Sequence, residues 1–205
     1  MKQKEKVQFI IETLEHYFPK PDIPLSHHNP FTLLIAVLLS AQCTDERVNQ
    51  VTPRLFALAK DPYEMAKLDD KVIYEIIKPC GLANNKTKAI KLLSIALIEK
   101  FQGEVPCNLE ALETLAGVGH KTASVVMIQA FNQPAFPVDT HIHRLAKRWK
   151  LTKGKNVKET EKDLKRLFPK EKWANLHLQM IFFGRRFCPA RGHHSENCPI
   201  CSKIG

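Results

Sequence analysis

Apolar residues return at every third or fourth position along almost the whole chain, a spacing that suits helices and leaves little to pair as strands. Val7, Ile10, Ile11 and Leu14 form one stripe, and Leu33, Leu34, Val37 and Leu38 a second. Leu92, Leu93, Ala96 and Leu97 form a third, and Val125, Val126 and Ile128 a fourth. Breakers and caps divide the pattern. Pro19 and Pro21 stop the first helix, Asp61-Pro62 starts a short one, and Asn84 or Asn85 is placed to cap a long one. Pro106-Cys107-Asn108 caps another, and Asn132-Gln133-Pro134 closes the helix that begins near Gly119. The pattern predicts an all-α protein with short connections. Its 205 residues, 44% of them hydrophobic, are enough for one or two cores. No internal repeat, low-complexity tract or long linker interrupts them.

Several classes of protein are excluded. No stretch approaches the ~20 apolar residues of a membrane span, and Met1 to Lys6 lead into an amphipathic pattern, unlike a secretion signal. The expected location is intracellular, in the cytoplasm, so the sequon Asn85-Lys86-Thr87 is a chance match. A formal net charge of +10 points to an anionic partner or simply to a soluble basic surface. Between Arg144 and Lys158 stand seven cations and no acid: Arg144, Lys147, Arg148, Lys150, Lys153, Lys155 and Lys158. A run of this kind can be a solvated helix face or a surface for phosphates.

The densest chemistry lies in Leu115-Ala116-Gly117-Val118-Gly119-His120-Lys121-Thr122-Ala123, followed by Pro137-Val138-Asp139-Thr140-His141. A Gly-x-Gly turn bends the backbone where side chains would obstruct it, and its N–H groups can hold a phosphate without reading sequence. Lys121 then opens an apolar helix, where the positive helix end and partial burial are expected to favour the neutral, nucleophilic amine. Asp139 suits the N-cap of the next helix. A carboxylate can also help a neighbouring amine lose its proton, although the sequence alone gives Asp139 only the cap.

These motifs resemble the helix-hairpin-helix and downstream aspartate of the endonuclease III family of DNA base-excision repair glycosylases. The resemblance runs from about Pro30 to Cys201. It implies a two-lobed fold: residues 23–133 as a helical barrel carrying the hairpin, and residues 1–22 with 134–205 as a second domain. Lys121 and Asp139 would then face each other across the cleft between the lobes. The implied activity is bifunctional, with removal of oxidised pyrimidines by N-glycosidic cleavage and then nicking of the abasic site by β-elimination through a lysine Schiff base. The implied partner is double-stranded DNA carrying damaged pyrimidines or abasic sites, bound by a monomer. The segments Leu38 to Asp45 and Pro79 to Leu82 resemble the two minor-groove loops of the family, which puts Gln42 and Leu82 at wedge positions. Without that likeness, Gln42 reads as a helix C-terminus, Leu82 as a half-buried loop leucine and Asp45 as a helix cap. His141 would support the aspartate.

Two rivals remain at this stage. A non-catalytic helix-hairpin-helix module would explain the charge and the glycines but not Lys121 with Asp139. A mismatch glycosylase of the same fold uses a glutamate in an early helix, where this chain has Ala36.

Cys43, Cys80 and Cys107 read as ordinary reduced thiols, whereas Cys188, Cys198 and Cys201 cluster near the end of the sequence. Cys198-Pro199-Ile200-Cys201 has the spacing that turns two thiolates toward one metal. The family's iron–sulfur signature is Cys-x6-Cys-x2-Cys-x5-Cys; here nine residues separate the first pair and the fourth cysteine would fall two positions beyond Gly205. Three outcomes follow: a [4Fe-4S] cluster completed by His193 or His194, a Cys3His zinc site, or no metal.

Overall fold

The computed structural model describes residues 1–204, and among them every regular element is helical. The chain divides into two compact units, one formed by residues 23–133 and the other by residues 1–22 together with those from 134 onward.

The first unit is organised around a helix that is apolar on every side. Helix α2 (Pro30–Leu39) follows α1 (Gln3–Tyr17), which belongs to the other unit, and buries every residue from Phe31 to Leu39. A helix without a polar face has to be enclosed. Its start is fixed locally: Asn29 Oδ1 accepts the Thr32 N–H at 2.8 Å and Pro30 takes the first helical position. Around it lie α3 (Asp45–Leu58), α4 (Pro62–Lys67), α5 (Asp70–Ile77), α6 (Ala83–Phe101), α7 (Leu109–Glu113) and α8 (His120–Phe131). Each longer helix turns one stripe inward, such as Val48, Val51 and Leu55 of α3 or Ile90, Leu93 and Leu97 of α6.

Asp61 and Asn108 cap α4 and α7 through their side-chain oxygens, each at 2.8 Å from the third amide of its helix. Two expected caps are displaced. Helix α6 begins at Ala83, ahead of Asn84 and Asn85, and no side chain caps it. Thr44, not Asp45, caps α3, its hydroxyl accepting the Arg47 N–H at 3.3 Å.

In the second unit α1 packs against α11 (Trp173–Arg186), which also packs against α9 (Thr140–Arg148), while α10 (Val157–Leu167) lies on α9. Ile10, Leu14, Phe136, Trp149, Leu164, Met180 and Phe183 form its core. Trp149 and Phe183 meet edge to face with centroids 5.5 Å apart, a favoured aromatic geometry. Gln179 ties α11 to the end of α1 by donating to the Phe18 carbonyl at 2.9 Å. The last helix, α12 (Cys201–Ile204), is a single turn whose Cys201 is buried in the same core together with Cys198 and Ile200. Among the described residues, no helix is long and apolar enough to cross a membrane.

Candidate functional site

In the unit of residues 23–133, α7 and α8 form a helical hairpin joined by residues 114–119. Leu115 and Val118 bury their side chains, which holds the turn against the core and leaves Gly117, Gly119, His120 and Lys121 exposed. The two glycines do different things. Gly117 has φ +75°, and a Cβ there would come within 2.8 Å of Ala89 Cβ and 3.0 Å of Leu38 Cδ1, so this position requires glycine. Gly119 has an ordinary φ of −92°, caps α8, and a Cβ on it would meet nothing within 4 Å. The protein therefore does not need a glycine at 119; the open space beside it adjoins the first N–H groups of α8, which have no acceptor within the helix, and leaves room for an anion.

Lys121 is the second residue of α8. Its side chain is exposed, contrary to the partial burial expected from the apolar helix around it. The preceding His120 has its Nδ1 2.6 Å from Glu113 Oε1 on α7.

The two loops expected to carry wedges adjoin each other. Gln42 (φ +56°) and Leu82 (φ +51°) both take the left-handed conformation that non-glycine residues avoid, and both side chains are exposed. Leu82 is 53% exposed, so it is not a half-buried loop residue. What holds the strain is a buried cation that the sequence reading missed. Lys86 Nζ donates to the Leu39 carbonyl at 2.9 Å and the Cys80 carbonyl at 3.0 Å, just ahead of Gln42 and Leu82 respectively. Arg47 adds a bond from Nη1 to the Pro79 carbonyl at 3.3 Å. Burial holds the Lys86 ammonium below the usual lysine range, and burial with a hydrogen bond to Cys43 pushes the Cys80 thiol up to about 11. The available signal was register: Lys86 shares the buried face of α6 with Ile90, Leu93 and Leu97.

In the other unit Asp139 caps α9, with Oδ1 accepting the Ile142 N–H at 2.8 Å. The strand-like approach to it is pinned by His177, a buried residue of α11 that the sequence reading also missed, whose Nδ1–H donates to the Pro137 carbonyl at 2.9 Å. His141 is the second residue of α9, two positions after Asp139, and its Nδ1 sits 3.3 Å from Arg144 Nη2.

The basic run divides by residue type. Lys147, Lys150, Lys153, Lys155 and Lys158 are exposed. Arg144 and Arg148 instead turn inward, both donating to the Cys188 carbonyl, at 3.2 and 3.3 Å, and Arg148 Nη1 also reaches the Pro189 carbonyl at 2.7 Å. Burial, then the neighbouring Arg148, lowers the Arg144 pKa.

These arginines border the cysteine cluster. Cys188, His193, Cys198 and Cys201 each offer a ligand atom within 4.8 Å of the other three. His194 stays outside the group; it is exposed and pairs with Glu196 at 3.3 Å. Burial raises the Cys188 and Cys201 thiols, while burial and then the nearby Arg148 lower the His193 pKa. Three sulfurs and an imidazole are, as a donor set, compatible with a [4Fe-4S] cluster as well as with a single ion.

Residues 35–170 match the family described as HhH-GPD superfamily base excision DNA repair protein. Endonuclease III of Bacillus subtilis (strain 168) is 43% identical over 199 residues, 97% of this chain and 91% of that protein. The chain belongs to the endonuclease III family. Among solved structures of endonuclease III, a non-covalent complex with DNA superposes with a TM-score of 0.93 at 41% identity, covering 98% of this chain and 95% of that one. A trapped covalent endonuclease III–DNA intermediate gives 0.92 at 42% identity, covering 98% and 94%. The all-helical fold is thus an endonuclease III fold, and the exposed hairpin and paired loops described above are this chain's version of it.

The unequal glycines give a direct test. Gly117→Ala should lose about 1–3 kcal/mol of stability through left-handed strain and the Ala89 and Leu38 contacts. Gly119→Ala should stay within about 0.5 kcal/mol yet lose roughly tenfold or more in affinity for abasic duplex. Denaturant melts and binding titrations measure both, and equal destabilisation by the two substitutions would refute the division of roles.

Proposed function

We propose that this member of the endonuclease III family is a bifunctional DNA glycosylase and abasic-site lyase acting on oxidised pyrimidines, with Lys121 as nucleophile and Asp139 as its carboxylate partner. The observation that carries the reading is an accessible amine in the first turn of α8, directly after the glycine hairpin, in a chain 42% identical to a protein trapped covalently on DNA. The amine of Lys121 would attack C1′ of the damaged nucleotide and the base would leave with its bonding electrons. The adduct nitrogen then loses a proton, and its lone pair expels O4′ from C1′; O4′ takes up a proton as the sugar ring opens to a protonated Schiff base. The imine then draws electrons from C2′, which gives up a proton, and the 3′ phosphate departs. Asp139 would stabilise the positive charge developing at C1′ and receive the proton that the lysine must lose.

The hairpin around Gly117 and Gly119 would bind backbone phosphate, with His141 near the aspartate. Gln42 and Leu82 would fill the space left when the nucleotide turns out of the stack, a rearrangement costing a few kcal/mol. Preset left-handed backbones at both positions support that role, because a wedge already projecting needs no reordering on contact. Ala36, fully buried in α2, offers no carboxylate for the mismatch-glycosylase route. The cysteine cluster would serve structure, since every bond change above uses the lysine, the aspartate and the substrate alone.

Borohydride should trap a covalent adduct on abasic and oxidised-pyrimidine duplexes; Lys121→Gln should abolish it, and Asp139→Asn, which can keep the cap, should slow it on the order of 100-fold or more. Trapping of Lys121→Gln at the parental level would refute the mechanism, and a chain that binds duplex but never cleaves it would be the non-catalytic module.

Leu82→Gly exchanges strain for unfolded-state freedom, so stability should shift by less than about 1 kcal/mol, while turnover falls more on a fully paired lesion than on one opposite a gap. An equal loss on both substrates would remove the wedge. DNA affinity should fall with salt at a log–log slope of about −0.9 per neutralised phosphate; a flat response would exclude the lysine face as the contact.

A further inference from the structure

The separations within the cysteine cluster say more than its composition. Cys188 Sγ and Cys201 Sγ lie 3.9 Å apart, and no pair among the four ligand atoms of Cys188, His193, Cys198 and Cys201 exceeds 4.8 Å. A tetrahedral zinc ion with Zn–S bonds of about 2.3 Å sets its sulfurs about 3.8 Å apart, and slightly less from sulfur to nitrogen. A cubane cluster attaches each protein ligand to a different iron, which spreads them to on the order of 6 Å. The donor set admits either centre, but a ring this tight surrounds one ion.

We propose that Cys188, His193, Cys198 and Cys201 form a closed, mononuclear Cys3His zinc site in place of the family's iron–sulfur cluster. His193 completes the set because its Nε2 is buried and has no hydrogen-bond partner in the protein, whereas His194 is exposed beside Glu196. The Cys201 N–H points at Cys198 Sγ from 3.5 Å, as a loop that chelates through both ends requires. Arg148 Nη1 lies 3.2 Å from Cys188 Sγ. Zinc with three thiolates and a neutral imidazole carries one net negative charge, which that guanidinium offsets, and outer contacts of this kind orient and tune ligands.

Four protein ligands leave no open position, so the site is structural. Its task is visible in the segment it would cross-link. From Cys188 onward the regular elements are a 3-10 turn at Ser195–Asn197 and the four-residue α12, neither long enough to persist alone. Yet Cys198, Ile200 and Cys201 are buried in the core of their unit. Binding free energy from the ion would hold that segment folded.

The proposal is independent of the lysine chemistry and is tested without it. The full-length chain, produced with both iron and zinc supplied and purified without oxygen, should contain one zinc per chain and neither iron nor sulfide, and should be colourless. With cobalt substituted for zinc it should show tetrahedral visible bands, and the near-ultraviolet thiolate-to-cobalt absorption should rise by about a third in His193→Cys as three thiolates become four. His193→Ala should cost more affinity for zinc than the roughly 10–100-fold lost with an outer-shell partner, and His194→Ala should leave it unchanged. Iron and sulfide in equal amounts with broad brown absorbance would overturn the proposal. So would a folded chain that takes up no zinc, or loss of zinc from His194→Ala but not from His193→Ala. Should His193→Ala fail to fold, the cobalt spectrum of His193→Cys still counts the thiolates.

Discussion

Helix α2 has no polar face, and the need to enclose it governs what surrounds it. Its C-terminus inherits the problem, because the last carbonyls of a buried helix have no intrahelical donors. Lys86 supplies one, reaching the Leu39 carbonyl from α6 and using a second proton on Cys80. One buried ammonium thereby satisfies two orphan acceptors and fixes the points from which the Gln42 and Leu82 loops depart. Burying such a cation is costly unless its protons are used, so the bonds that make Lys86 tolerable in the core are the same bonds that set the loop geometry. Solubility of the helix, closure of its end and presentation of the loops are one constraint met once.

The parts of this fold that can be read from sequence are those whose cause is local. Asp61, Asn108 and Asp139 announce helix starts because a short side-chain oxygen reaches amides two or three residues on, and the apolar stripes announce the all-helical class because burial follows the helical period. The start of α6 could not be read in this way. Leu82 begins it in a left-handed conformation without a side-chain cap, a choice that local chemistry disfavours and that tertiary contacts through Lys86 and Arg47 impose. Asn84 and Asn85 were better caps by type, but they lie inside the first turn.

The site divides similarly. The hairpin was visible in its glycines, yet only the packing of Ala89 and Leu38 against position 117 separates a glycine the fold needs from one it does not. Lys121 stands out in the sequence by its place after the hairpin, while its exposure depends on how the turn is anchored by Leu115 and Val118. His193 and His194 are equivalent in sequence, and they are distinguished by which one the chain folds back over Cys188. His177 gave no signal, since a histidine on an apolar face carries nothing in its neighbours to show that it holds the peptide leading to Asp139.

Sorting of the basic run by residue type bears on how such a protein travels. Arg144 and Arg148, the two side chains able to grip a phosphate through a planar fork, are occupied with the carbonyls of Cys188 and Pro189. The exposed cations of the run are lysines, which are hydrated point charges on flexible stems and meet phosphates without fixing an orientation. A duplex meeting that face would be held in many nearly equivalent registers, with small barriers between one and the next. Such a hold would favour one-dimensional diffusion along DNA over residence at any single step, and on the function proposed above the search for a weakened base pair would proceed by sliding, with commitment left to the hairpin and the two loops.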